Sequence, residues 1–255
     1  MVAQPLAVLL LTEDTGDDAH AVIAAVVKKV LLLMEPSLDL GRLVFARADE
    51  RARAAMGFNC YKSRNPRDYD KKLRLAQAVA SHLLREDCPT AVFVHIDADR
   101  RWSARDPEHL CDSVFCFQQE IVERVRSILA ARGAAEKIEH LALLVPFWSV
   151  ESWLFQNTEE ALRICAETHP RHESAVSLFE RWRVHPEELD EQKEPKELVS
   201  FGAKYNRRLA ENGFPAKRLR QLGLSFAHAV ERAERSRLRR LVASASREAS
   251  TAGRT

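Results

Sequence analysis

The chain has 255 residues, 46% of them hydrophobic and 30% charged, with 8 glycines. That is enough to build a substantial helix-rich core, and it excludes a disordered or collagen-like chain. The net charge of +2 excludes a global polyanion-binding field.

The charge is nevertheless uneven. Residues 196–255 hold 14 basic and 5 acidic residues, a net of +9, which leaves −7 for the rest. This suits a metal centre beside a polyanion-binding surface, with part of an Arg-rich helix (Arg235, Arg237, Arg239, Arg240) toward the cleft. It suits a solvated helix face equally. The five cysteines show no C-x-x-C pair and no zinc-like spacing, as expected of a reduced, cytoplasmic protein. The apolar start, Pro5 to Leu11, lacks a basic lead-in and a small-residue cleavage site, so it does not read as a signal peptide. No apolar run approaches the ~20 residues of a membrane span, so no membrane partner is expected.

Leu6 to Leu11 reads as a short buried strand. A turn follows at Asp14-Thr15-Gly16, where the glycine supplies backbone freedom. Asp17 or Asp18 then caps a helix running to about Met34, stopped by Pro36. Leu43 to Ala46 reads as a second strand. Arg47 to Asp70, mixed, basic and aromatic, reads as a long connection. A helix is predicted from about Pro66 to Glu86.

Val92-Phe-Val-His-Ile96 is the central strand, and it ends in Asp97-Ala-Asp99. Side chains at i and i+2 point to one side of an extended backbone, so both carboxylates can face one point. Close carboxylates repel unless a cation or proton lies between them, and hard divalent ions are the natural occupants. A solvated strand-to-loop cap is the plainer alternative.

Glu108 to Arg132 reads as a helix, Leu141 to Phe147 as the fourth strand, and Trp148 to Phe155 as the start of another helix. This alternation predicts an α/β fold with a mainly parallel four-stranded sheet flanked by helices. Residues 1–157 would form that core and 158–243 a helical extension. Its predicted helices lie near 159–168, 173–181, 195–211, 215–222 and 225–243. Residues 244–255 read as a frayed tail.

Three acidic stretches follow three of these strands: Glu13 with Asp17, Asp97 with Asp99, and Glu151. Parallel strands put their C-terminal ends on one edge of the sheet, so these distant acids are expected to converge there. Each has a separate explanation as a turn residue, a helix cap or a first-turn acid. Together they read as a metal site.

Glu after the first strand, Asp-x-Asp after a later one, the Glu13-x-x-x-Asp17 spacing and Ser-Val-Glu151-Ser-Trp-Leu resemble the TOPRIM domain, in particular that of the OLD-family nucleases. Small bacterial TOPRIM-like proteins with an E-x-W-L motif often end in a Pro-Lys…Tyr helical region, similar to Pro195-Lys196…Tyr205 here. The chain departs in one place: a glycine usually follows the first Glu, whereas Asp14 stands there.

The resemblance implies a TOPRIM/Rossmann-like core and a metal-dependent nuclease using one or two Mg²⁺ or Mn²⁺ ions. Asp97 and Asp99 would hold the first ion with Asp17 nearby, and Glu151 would complete the cluster. Glu13 would act as general acid/base or as a second-ion ligand. Arg100, Arg101 and Lys196 are candidate phosphate contacts. The substrate implied is nucleic acid, DNA before RNA, in phage defence or DNA repair. The chain has no G-x-x-x-x-G-K-[ST] loop, so an ABC-type ATPase would be a separate partner. Two other readings stay open: a metal-dependent phosphatase of small phosphoesters, and a non-catalytic interaction module of the same fold.

Overall fold

Four apolar segments, each too short for a buried helix, form one all-parallel sheet in the computed structural model, which describes residues 4–14, 16–98, 112–168 and 171–252. Strands β1 (Leu6–Thr12), β2 (Leu43–Arg47), β3 (Thr90–His95) and β4 (Leu141–Leu144) lie in the order β2-β1-β3-β4. Leu9 of β1 faces Ala46 on one side and Val92 on the other, and Phe93 pairs with Ala142. Every residue of β1 and β3 is buried, as expected of inner strands covered on both faces.

The chain leaves β1 toward β2 on one side and returns past β1 to β3 on the other. The strand order therefore reverses between β1 and β3. At such a point the loops after neighbouring strands turn to opposite faces and leave a crevice at the strand ends.

The two faces carry separate cores. On the first, Leu6, Val8, Leu10, Ala91 and Phe93 pack with α1 (Asp17–Met34) and with the C-terminal helices. On the second, Leu9, Leu11, Val92 and Val94 pack with α2 (Glu50–Gly57), α3 (Tyr69–Leu83) and the helical run after β3. That run is α4 (Asp112–Phe117), a π-turn at Gln118–Val122 and α5 (Glu123–Ala130).

After β4 come α6 (Glu151–Leu154), α7 (Thr158–Glu167), α8 (Glu173–Val184), α9 (Pro186–Asp190) and α10 (Pro195–Leu198). They are followed by α11 (Ala203–Glu211), α12 (Ala216–Leu222), α13 (Ser225–Arg235) and α14 (Leu238–Ala252). Phe155, Phe179, Trp182 and Phe201 form an aromatic cluster in this region. It joins the same core as the first sheet face, so sheet and C-terminal helices bury one continuous apolar interior.

Several expectations change in detail. The stretch after Arg47 is not only connection: Asp49 accepts from the backbone N–H of Arg51 and Ala52 and caps α2. The cap of α1 is Gly16 rather than Asp17 or Asp18, which stand in its first turn. Gly16 has an ordinary φ of −64°, so its freedom is not what the turn uses. The Asp14 carboxylate takes its N–H at 2.9 Å, and a Cβ there would stand 3.2 Å from that same oxygen. The expected helix 195–211 breaks at Gly202, whose φ is +73°. The helix expected over 225–243 breaks at Ser236, whose hydroxyl donates to Ala233 O and accepts from Leu238 N–H.

Residues 244–252 are helical rather than frayed. Ser246 Oγ meets Ser37 Oγ at 2.9 Å, Arg42 donates to Ala245 O at 3.2 Å, and Arg237 pairs with Glu139 at 3.0 Å. Ser37, Arg42 and Glu139 all precede strands or follow the end of α1. The start of α14 therefore lies along the edge where the strands begin.

Candidate functional site

Thr12 ends β1, and Glu13 follows it at the C-terminal edge of the sheet. Its side chain reaches across the switch point: Oε2 accepts the backbone N–H of Asp97 at 3.0 Å. Oε1 accepts the hydroxyl of Tyr61 and lies 3.8 Å from Lys62 Nζ. Burial pushes the Glu13 carboxyl up; the Tyr61 hydrogen bond opposes this and the nearby Asp97 adds to it, for a net upward shift.

Asp97 stands two residues beyond β3. Its Oδ1 accepts the backbone N–H of Val150 at 3.1 Å, which ties the loop after β4 to the end of β3. Glu151 follows at the start of α6, where Asn206 of α11 donates to its Oε1 at 3.4 Å. The three carboxylates predicted to converge thus come from three strand ends and line one cavity of about 340 Å³, together with Asp17, Lys196, His95 and Asn206.

Asp17 sits at the rim. Its side chain is 83% exposed and is paired with Arg47, so a cation there has to compete with a guanidinium. Lys196 of α10 puts one cation into the lining. Asp99, Arg100 and Arg101 lie outside the described residues.

His95 is a site residue that the sequence pattern marks only as strand interior. It is 5% exposed, lines the cavity, and holds Nε2 at 3.2 Å from Asp97 Oδ1. Among the described residues this buried nitrogen has no hydrogen-bond partner, so its contact with Asp97 is an ion pair when the ring is protonated. Burial pushes the imidazole pKa down, but Asp97, then Glu13 and Glu151, outweigh it and leave it raised. Tyr61 and Asn206 are two further site residues that the sequence does not reveal. Both reach the site from distant segments, where no local pattern marks them. His95 does leave a signal, a polar side chain inside an otherwise apolar strand.

Among the described residues, no three His, Cys, Asp or Glu side chains already converge tightly enough to hold an ion by themselves. The donor chemistry nevertheless fits a divalent cation. Carboxylate oxygens suit Mg²⁺ and Mn²⁺, and Glu13, Asp97 and Glu151 all line the cavity. Asp97, Glu151 and Glu13 are the residues that would hold it.

No family model, curated protein or solved structure matches the chain. Among the described residues, no helix is long and apolar enough to cross a membrane.

Proposed function

We propose that the chain is a metal-dependent nuclease that cleaves phosphodiester bonds at this cleft. The observation that carries the reading is the meeting of Glu13, Asp97 and Glu151 at the switch point between β1 and β3. Such a group of carboxylates is costly to maintain in a partly buried crevice without a cation. The raised pKa of Glu13 is the visible sign of that cost.

A bound Mg²⁺ or Mn²⁺ would neutralise a phosphate and lower the pKa of water. The chain's own residues do the rest. Asp97 is fixed by the Val150 N–H and recruits the cation. Glu151 is held by Asn206 and adds a second carboxylate from another strand. Glu13, fixed by Tyr61 and the Asp97 N–H, is placed to take or give a proton at Oε1 or Oε2. Lys196 meets a non-bridging phosphate oxygen. A TOPRIM-like nuclease of the OLD type, acting on DNA beside a separate ABC-type ATPase in phage defence or DNA repair, is the form of this activity that the sequence resemblance supports.

The test is cleavage of plasmid and of single-stranded oligonucleotides with Mg²⁺ or Mn²⁺, with and without an ATPase encoded nearby. Asp97→Asn is expected to lose both cleavage and Mn²⁺ binding, read by the ion's paramagnetic resonance signal. Glu13→Gln is expected to lose cleavage by ~10²–10⁴-fold while retaining at least one ion. Wild-type melting temperature should rise in millimolar Mn²⁺ by mass action. Cleavage that survives both substitutions overturns the reading.

A further inference from the structure

The segment after α2 and the helices beside it carry exposed aromatic rings. Phe58 follows α2 and is 75% exposed, Tyr69 opens α3 at 50%, and Phe115 on α4 stands at 53%. These are large apolar groups for solvent. Two carry a cation over the ring: Lys71 Nζ lies 5.7 Å from the Phe58 centroid, and Arg124 Cζ lies 4.7 Å from that of Tyr69; these cations also pair with Asp68 at 2.7 Å and Glu120 at 3.3 Å, so the exposed Arg64 and Arg67 are the side chains left to meet a phosphate backbone. Residues 58–74 hold six basic side chains against two acidic ones, and Arg64 and Arg67 are exposed.

The same segment touches the site. Tyr61 packs edge-on against Phe117 of α4 at 5.3 Å and donates its hydroxyl to Glu13, and Lys62 approaches the same carboxylate. The turn that presents Phe58 is therefore tied to the cleft through one residue, Glu13.

We propose that Phe58 and Tyr69, with the exposed Arg64 and Arg67 between them, form a platform for single-stranded nucleic acid. Its role in delivering a strand to the cleft rests on the nuclease reading; binding rests on the rings and charges alone. Unpaired bases expose their faces and stack on aromatic side chains without regard to sequence, while basic groups track the backbone. A duplex keeps its bases stacked on one another and offers mainly phosphates to such a surface. A protein partner fits less well at Phe58, because lysine is depleted at the centre of protein interfaces and Lys71 lies over that ring.

The experiment uses the full chain in EDTA, with fluorescein-labelled dT₂₀ and a duplex of equal length, read by anisotropy. We expect dT₂₀ to bind at least ~10-fold tighter than the duplex, and Phe58→Ala and Tyr69→Ala each to weaken dT₂₀ about 10-fold. Duplex affinity, melting temperature and Mn²⁺ binding should stay unchanged in both variants. Equal affinity for the two probes, or dT₂₀ binding unchanged after both rings are removed, overturns the proposal. So does self-association by light scattering that disappears with the rings while no oligonucleotide binds, which makes the surface a protein interface. Ring-dependent binding without Mn²⁺-dependent cleavage leaves the platform standing and sinks the nuclease. Cleavage of single strands that is indifferent to the rings does the reverse.

Discussion

Glu13 shows how a single residue carries the tension between stability and chemistry. Its carboxyl is raised by burial in the folded chain, above the ordinary value of 4.5. A carboxyl raised on folding binds more protons in the native state than in the unfolded state. Stability is therefore lost as pH rises from about the ordinary value through the folded one. Glu13→Gln keeps an oxygen for the Asp97 N–H and removes the charge. In EDTA at pH 7 the variant is expected to melt higher than the parent, and the gap should close below pH ~4.5. A Glu13→Gln protein that melts lower at pH 7, or a gap independent of pH, would show that the carboxylate is already well compensated without an ion.

Among the elements, the site depends on a polar chain between helices that no sequence pattern announces. Trp153 of α6, two residues after Glu151, donates its indole N–H to Ser225 Oγ at 2.7 Å. Ser225 opens α13 and gives both its N–H and its hydroxyl to Asp190 at the end of α9, at 2.8 and 2.5 Å. Asp190 is buried and its pKa is raised, chiefly by that burial, so its charge is itself expensive. The two substitutions should therefore separate. Asp190→Ala leaves the Ser225 N–H and hydroxyl without an acceptor and is expected to cost about 3 kcal/mol. Asp190→Asn sheds the charge, keeps one acceptor, and is expected to stay within about 1 kcal/mol of the parent. Urea unfolding measures both, and an Asp190→Ala loss below about 0.5 kcal/mol would remove this chain from the account of how α6 is held.

What can be read from the residues at this scale follows from where the physics is local. Short apolar runs mark the strands, most plainly β1 and β3, because inner strands buried on both faces carry few polar residues. The carboxylates at their ends mark the cleft, because parallel strands share one C-terminal edge. Helix α2 escapes notice because only Ala52, Ala55 and Met56 of it are buried, and its arginines hide the face. Tyr61 reaches Glu13 across 48 positions, and Asn206 reaches Glu151 across 55; sequence spacing says nothing of either. The breaks at Gly202 and Ser236 are present as residues, but apolar spacing on both sides runs through them.

Across the whole molecule, the uneven charge divides differently in space than along the chain. Of the basic C-terminal region, Lys196 enters the cleft, while Arg237 pairs with Glu139 just before β4, at the opposite edge of the sheet. Arg235 is occupied by Glu231 on its own helix, at 3.5 Å. Arg237 is therefore turned away from the carboxylates. From the segment between α2 and α3, Lys62 lies 3.8 Å from Glu13. For a single strand, each phosphate that a basic side chain neutralises adds about 0.7 to the steepness of log affinity against log salt. Reversing Arg64 and Arg67 to Glu should flatten the dT₂₀ salt slope by at least ~1.4, since two cations are removed. Reversing Arg237, Arg239 and Arg240 should leave that slope unchanged and affinity within ~3-fold, because charges at the far edge lie beyond a Debye length of about 10 Å at 0.1 M salt. A slope that responds to the second set and not to the first would place the bound strand along α14, away from Glu13, Asp97 and Glu151.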